Sequence, residues 1–244
     1  GPILNGVTFG SNLTTSGFFN ISNSLTLANA VTVNKGSGNW GFNTTGAQSI
    51  AMQGGTGSAT INSAGGIIRA GHNITGQTLQ IGAGVTLQGY GSLDTSNAAP
   101  VTNNGSIIAN TAAQTFTINP STFTNNGTLG VTNGTLTVSA TNWSNPGGSF
   151  NVSGGILNLG GTFTNTGWGA TTRTGGVVNI TGILTNTGNT LDIGGAGIFG
   201  AGGLGTLSGD IVNGTVVSND GTVLTGSGGS LGGGGGPILN GVTL

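Results

Sequence analysis

The residues that could carry acid–base, nucleophilic or metal chemistry are few and widely spaced. They are Lys35, Arg69, His72, Asp94, Arg173, Asp192, Asp210 and Asp220, and the chain contains neither cysteine nor glutamate. His72 has no second histidine or cysteine with which to form a metal site or a nucleophile–base pair. The carboxylates are too scattered for glycoside hydrolysis and miss the spacing of calcium-binding β-rolls. We therefore expect no enzymatic activity, no metal and no cofactor.

Composition narrows the possible partners. Charged residues make up 3% of the 244 residues, and the formal net charge is −1. No cluster of lysine and arginine is present to bind phosphates, which argues against a nucleic-acid partner. No apolar run approaches the ~20 residues that cross a bilayer, so no transmembrane segment is expected. Weak electrostatic repulsion between copies instead leaves self-association open.

A repeated segment organises the chain. Residues 115–127, 135–147, 155–167 and 176–188 align at successive offsets of 20, 20 and 21. Three columns of the alignment hold one kind of residue each: Phe123, Trp143, Phe163 and Leu184; Asn125, Asn145, Asn165 and Asn186; and Gly127, Gly147, Gly167 and Gly188. A fixed period of about 20 residues is typical of solenoids.

The content of each period predicts the fold class. Apolar and polar residues alternate over short runs rich in Val, Ile, Leu and Thr, between Gly, Asn and Ser turns. The sequence therefore predicts an all-β parallel β-helix with coils of about 20–22 residues and essentially no α-helix. The aromatic column should stack inside, the asparagines should form an amide ladder at a turn, and the glycines should supply positive φ there.

A longer repeat indicates the domain organisation. Gly-Pro-Ile-Leu-Asn-Gly-Val-Thr occurs at residues 1–8 and again at 236–243. We expect one solenoid module over 1–235, most regular over 101–188 and irregular over 36–76. A Gly-rich junction covers 226–236, and the next tandem module starts at 236–244. An engineered fusion joined by the Gly run is the alternative.

The motif Φ-Thr-Asn-(Asn/Thr)-Gly-(Thr/Ser)-Φ, seen at residues 123–129, resembles the filamentous-haemagglutinin and autotransporter-like bacterial repeat proteins. The resemblance covers most of residues 78–225 and rests on period and composition. It implies a right-handed β-helix, secretion, and a role outside the cell or at its surface.

Three functions fit these features. The first is a non-enzymatic module of a large extracellular fibre, in which copies stack end to end. The second is a surface adhesin that binds glycans through the irregular region, with Trp40, Arg69 and His72 as candidate residues. The third is an ice-binding face built on Thr115, Thr117, Thr135 and Thr137, limited to two coils because Gly155 and Leu157 are expected next in register.

Overall fold

The chain forms a parallel β-solenoid of about ten turns, as predicted. The computed structural model describes residues 1–227 and 236–244, and residues 228–235 of the predicted Gly-rich junction lie outside the described residues. Every strand pairing in the described part is parallel, and the helical content there is one 3₁₀ segment, Gln53–Gly55. The predicted fold class is thereby confirmed.

The strands are short, and several of them bend across a corner from one face to the next. In chain order they are Ile3–Phe9, Leu13–Thr15, Phe19–Leu27, Thr32–Lys35, Trp40–Phe42, Gly46–Met52, Ala59–Ala70, Gln77–Ile81, Val85–Thr95, Val101–Asn103, Ser106–Asn119, Thr122–Asn125, Thr128–Val138, Asn142–Ser144, Ser149–Val152, Ile156–Leu159, Thr162–Thr164, Ala170–Arg173, Val177–Ile180, Ile183–Thr185, Thr190–Asp192, Asp210–Val212, Thr215–Val217 and Leu239–Asn240.

Each turn contributes to three faces, which we call A, B and C in chain order. In one regular turn, face A holds Ile156–Leu159, face B holds Thr162–Thr164 and face C holds Ala170–Arg173. Each strand lies in register on its counterpart one turn away, as in the pairing of Ile156–Leu159 with Val177–Ile180 on face A. The stack therefore places equivalent side chains directly above one another.

The core is a set of inward columns produced by the period-two alternation of the strands. On face A, Val138 pairs with Leu159 and Leu159 pairs with Ile180, and all three side chains are fully buried. Burial of this apolar area, at roughly 25 cal/mol per Å², is the main favourable contribution to the free energy of folding. The same alternation points polar side chains outward.

Turn length varies more than the sequence suggests. Hydrogen-bonded side chains on successive turns are 20 residues apart at Asn125 and Asn145, but 28 apart at Asn34 and Asn62. The extra residues of the predicted irregular region 36–76 lie in corners, such as the 3₁₀ segment Gln53–Gly55, while its strands keep their places in the stack. Insertions at a corner leave the strand register intact.

The structure corrects the alignment of the third repeat by one residue. Thr135 pairs with Ile156, not with Gly155, and Leu136 pairs with Leu157. A one-residue slip would turn the whole apolar set outward, so burial of Leu157 and Leu159 fixes the register. The alignment is still correct at the aromatic column, because Asn142 pairs with Thr162, 20 residues on.

The second copy of the eight-residue segment continues the stack. Leu239 and Asn240 pair with Ile211 and Val212. Further along, Thr243 forms a parallel bridge with Thr215, and its backbone N–H donates to the carbonyl of Gly214 at 2.9 Å. Residues 238–243 therefore add an eleventh, partial turn.

The four glycines of the aligned column do not share one backbone conformation. Positive φ was expected at all four and occurs at two. Gly167 and Gly188 have φ of 74° and 73°, whereas Gly127 and Gly147 are outside the left-handed region. At Gly127 a Cβ would collide with the backbone carbonyl of Gly105 one turn below. At Gly147 a Cβ would meet only ordinary contacts, the nearest at 3.6 Å. Glycine is required at 127 by the close approach of two turns.

We predict that Gly127→Ala destabilises the protein while Gly147→Ala does not. The clash at residue 127 forces the backbone to shift, at about 1–3 kcal/mol of unfolding free energy. The matched change at residue 147 should stay within about 0.5 kcal/mol of the parent. Urea denaturation followed by circular dichroism measures both, and equal losses for the two variants would contradict the distinction.

Candidate functional site: interior columns and outer faces

The predicted aromatic column lies inside the solenoid on face B. Phe123 pairs with Trp143, and Phe163 pairs with Leu184. The rings of Trp143 and Phe163 stack with centroids 4.5 Å apart and planes 23° apart. The Trp143 indole N–H donates to the Gly160 carbonyl at 2.8 Å, which satisfies its polar atom. These rings are buried and offer no surface to a ligand.

Trp168 is a core residue that the repeat did not reveal. Its ring lies 5.1 Å from that of Phe150 and 5.5 Å from that of Phe199. Its indole N–H donates to the Thr171 hydroxyl at 2.8 Å. Trp168 directly follows the turn glycine Gly167, outside any strand, so no aligned column pointed to it. Its large hydrophobicity was the only signal in the sequence.

The amide ladder exists, but it is interrupted where the sequence predicted continuity. Asn125 donates to the side-chain oxygen of Asn145. Asn145 then donates to the Trp168 carbonyl, not to Asn165, because the insertion of Trp168 into the core places that carbonyl next to the amide. A separate pair follows, in which the half-buried Asn165 donates to Asn186 at 2.9 Å.

The ladder also starts one turn earlier than the four aligned repeats. Asn103 donates to the side-chain oxygen of Asn125 at 2.6 Å and to the Gly105 carbonyl at 3.3 Å. Asn103 and Asn125 are fully buried. Each of these amides thus has hydrogen-bond partners within its own turn and on the next one, as buried polar groups require. The Val101–Gly105 turn had carried this signal in the sequence.

Lys35 is a buried cation inside face C. Its side chain is 1% exposed, and its ammonium group donates to the Gly65 carbonyl at 2.6 Å. It lies between Thr15 and Ser63 in the stack. Among the described residues the ion pair observed is Arg69–Asp94, so Lys35 relies on carbonyl oxygens. Burial lowers the pKa of Lys35 to about 8.

The three residues proposed for an adhesive patch do not form one surface. Trp40, a candidate residue of the binding patch, is 1% exposed and packs edge-on against Phe9, so it offers no surface to a glycan. The neighbouring Gly41 leaves room for the His72 ring, which a Cβ at residue 41 would overlap. Burial and the nearby Arg69 charge lower the pKa of His72. Strand alternation points Trp40 inward and leaves Arg69 and His72 outside.

Two carboxylates near the last turns, Asp192 and Asp220, accept hydrogen bonds from neighbouring loops. Asp192 accepts from the Gly194 N–H at 2.8 Å and the Asn219 side chain at 2.9 Å. Asp220 accepts from the Gly195 N–H at 2.7 Å, which is the largest cause lowering its pKa to about 2. In the described part of the chain, no three acidic, histidine or cysteine side chains come together as a metal site, and no pocket is found.

A column of hydroxyl groups runs along the outside of face C. Its six members lie in register on six successive turns: Thr32, Thr60, Thr86, Ser106, Thr128 and Ser149. The last two hydroxyl oxygens are 3.3 Å apart. The sequence did not show this column because the turns that it joins differ in length, from 28 residues at Thr32–Thr60 to 20 at Thr86–Ser106.

The predicted threonine array on face A has the expected height but different neighbours. Thr115 pairs with Thr135, and Thr117 pairs with Thr137. The next turn places Ile156 and Asn158 in these columns, where Gly155 and Leu157 had been predicted. The one-residue register correction accounts for the change.

Comparison with known proteins adds no family. No protein-family model, no curated protein and no solved structure matches this chain. Within residues 1–227 and 236–244, no helix has the length and apolar character needed to cross a membrane.

We predict that Asn125→Ala lowers the unfolding free energy by about 2–3 kcal/mol, because Asn103 and Asn145 both lose a buried partner. Asn126→Ala is the matched control. Asn126 is exposed, and its side chain makes one hydrogen bond, to Asn104 at 3.0 Å, so loss of that side chain should cost under about 0.5 kcal/mol. Urea denaturation of both variants tests this, and equal effects would show that the buried ladder contributes nothing specific.

Lys35 predicts a pH dependence of stability. Its folded pKa of about 8 lies below the unfolded value of 10.5, so the folded state binds the proton less tightly. Stability should therefore be lowest below pH 8 and rise by about 3 kcal/mol between pH 8 and 10.5. Lys35→Met should remove this rise. Urea midpoints across this range test it, and identical pH slopes would contradict the assignment.

Proposed function

We propose that this chain is a non-enzymatic structural module of a large secreted fibre built from tandem modules stacked end to end. The observation that carries the proposal is the position of the second Gly-Pro-Ile-Leu-Asn-Gly-Val-Thr segment in the stack. Its Leu239 and Asn240 pair with the tenth turn as a further strand of the same sheet. The residues that start a module are thus able to continue the preceding one.

Backbone hydrogen bonding gives a reason for such continuation. In the described residues, the strand Ile3–Phe9 pairs only with Phe19–Leu27, so its other edge presents unpaired N–H and C=O groups. Exposed edges are templates for pairing with another chain, and solenoids remove them by capping or by stacking. A preceding module would pair these groups at the first turn.

The surface suits a role in assembly. Charged residues are 3% of the sequence, and the net charge of −1 gives little repulsion between stacked copies. The aromatic and amide columns are buried and serve cohesion. The resemblance to filamentous-haemagglutinin-like repeats supports secretion and a location outside the cell or at its surface.

The proposal predicts the length of proteins built from several copies. A module of about ten turns at ~4.8 Å per turn should add roughly 50 Å of straight rod. Electron micrographs of proteins with two, four and six copies measure this increment. In a matched control, Gly and Ser replace the eight residues 236–243 in every copy, and the rods should bend at each junction. Beads joined by flexible links in the parent array would overturn the proposal.

A second candidate function is binding of a repeating lattice such as ice, favoured by the hydroxyl column on face C. The protein should then show thermal hysteresis. Thr86→Tyr, in the middle of the column, should remove most of it, because the ring interrupts the flat array. Thr164→Tyr on face B is the control and should retain it. No hysteresis in the parent protein would rule this function out.

A further inference from the structure

The tenth turn holds the second copy of the eight-residue segment mainly through backbone groups. Three N–H groups of the tenth turn donate to carbonyls of the segment, in the pairs Ile211–Ile238 at 3.0 Å, Asn213–Asn240 at 2.7 Å and Val216–Thr243 at 2.8 Å. In the opposite direction, the Thr243 N–H donates to the Gly214 carbonyl at 2.9 Å, and the Ile238 N–H donates to the Asp210 carboxylate at 3.1 Å. Because these groups belong to the segment and the tenth turn alone, the contact is the same whichever chain supplies the segment.

The first copy of the segment pairs through its opposite edge. The Asn20 N–H of the second turn donates to the Pro2 carbonyl at 2.9 Å, and the Ala28 N–H donates to the Phe9 carbonyl at 3.0 Å. Successive residues of a β-strand direct their backbone groups to opposite neighbours. The carbonyls that bond to the tenth turn in the second copy therefore belong, in the first copy, to residues that face away from the second turn: Ile3, Asn5 and Thr8. The two sets share no carbonyl, so one copy of the segment can pair with a turn on each side.

The glycine of the segment has the same backbone conformation in both copies. Its φ is 57° at Gly6 and 65° at Gly241. A Cβ at Gly241 would lie 2.7 Å from the side-chain oxygen of Asn213, whereas a Cβ at Gly6 would have no neighbour within 4 Å. The close contact that glycine permits is thus made with the tenth turn of the preceding module. The first copy already has the conformation that this contact requires.

We propose that the tenth-turn edge, residues 210–216, is a docking site for the first turn of a second copy of this chain. Residues 1–8 of the incoming chain keep their pairing with their own second turn and present their free edge to Asp210 and the neighbouring backbone. The inference rests on the proposed function and extends the stack from modules of one chain to modules of separate chains.

Tethering decides which copy of the segment occupies the site. Residues 236–243 fill the tenth-turn edge of their own chain. A tethered segment has an effective concentration roughly in the millimolar range, so it excludes free chains present at micromolar concentration. Release of the tethered copy opens the site to residues 1–8 of another chain.

A variant with Gly241→Val and Thr243→Pro tests the proposal, because it releases the tethered copy and leaves residues 1–8 unchanged. Valine strains the positive φ and meets Asn213, and proline removes the N–H that bonds to Gly214. At micromolar concentration in the analytical ultracentrifuge, we expect the parent chain to be a monomer. The variant should form species whose masses are multiples of that of the monomer, and hydrogen exchange at the Asn213 and Val216 amides of its monomer should be faster than in the parent.

The matched control adds Gly6→Val and Thr8→Pro, which make the same changes in the incoming segment. It should remain a monomer, and circular dichroism shows whether it is folded. If the first variant stays monomeric with its site open, docking between chains is refuted. The proposed function then still stands if multi-copy rods lengthen by roughly 50 Å per module. Polymers of the parent or of the control as large as those of the first variant would also refute the docking site, because other contacts would then join the chains.

Discussion

The structure depends on one constraint: each turn must pack against a turn about 4.8 Å away through the same three faces. A side chain in the interior therefore has its counterparts above and below as its nearest partners. Aliphatic residues meet this condition by stacking, as do Val138, Leu159 and Ile180. Buried amides meet it only when each can donate to the next turn, as Asn103 and Asn125 do. The aromatic column at Trp143 and Phe163 meets it through ring stacking. The columns are thus consequences of the stack, which explains why their residue types repeat in the sequence.

Departures from the columns are accommodated by backbone groups of neighbouring turns. Trp168 interrupts the amide ladder and provides its own carbonyl as the substitute acceptor. Lys35 replaces an apolar or hydroxyl side chain on face C and is held by the Gly65 carbonyl. Arg173 donates to the carbonyls of Gly176 and Gly203 where the chain loops out near the end. A solenoid interior therefore tolerates an irregular polar residue when a carbonyl of the same or an adjacent turn faces it. Lys35 still lowers the stability of the fold, because its charge is desolvated without a carboxylate partner.

The repeat predicted the fold and the aromatic column because strand alternation and stacking both leave a direct pattern in the sequence. The repeat did not predict features that depend on the distances between neighbouring turns. The need for glycine at residue 127 comes from a carbonyl one turn below, which alignment cannot show. The slip at Gly155 came from placing no gap between repeats, although burial of Leu157 and Leu159 requires one. Trp40 lies in the irregular region, where its inward direction follows only from the strand Trp40–Phe42. The hydroxyl column on face C was hidden because unequal corners remove any fixed offset.

The proposed fibre rests on the same constraint, since an unpaired strand edge at the end of a stack is satisfied by another turn. The second copy of Gly-Pro-Ile-Leu-Asn-Gly-Val-Thr already acts as such a turn. X-ray diffraction from an oriented sample of a multi-copy protein tests continuity most directly. Strands perpendicular to the long axis predict a sharp meridional reflection at ~4.8 Å. A ~4.8 Å ring without orientation, from rods that are aligned in the same sample, would contradict the account, because it would mean that the modules do not share one axis.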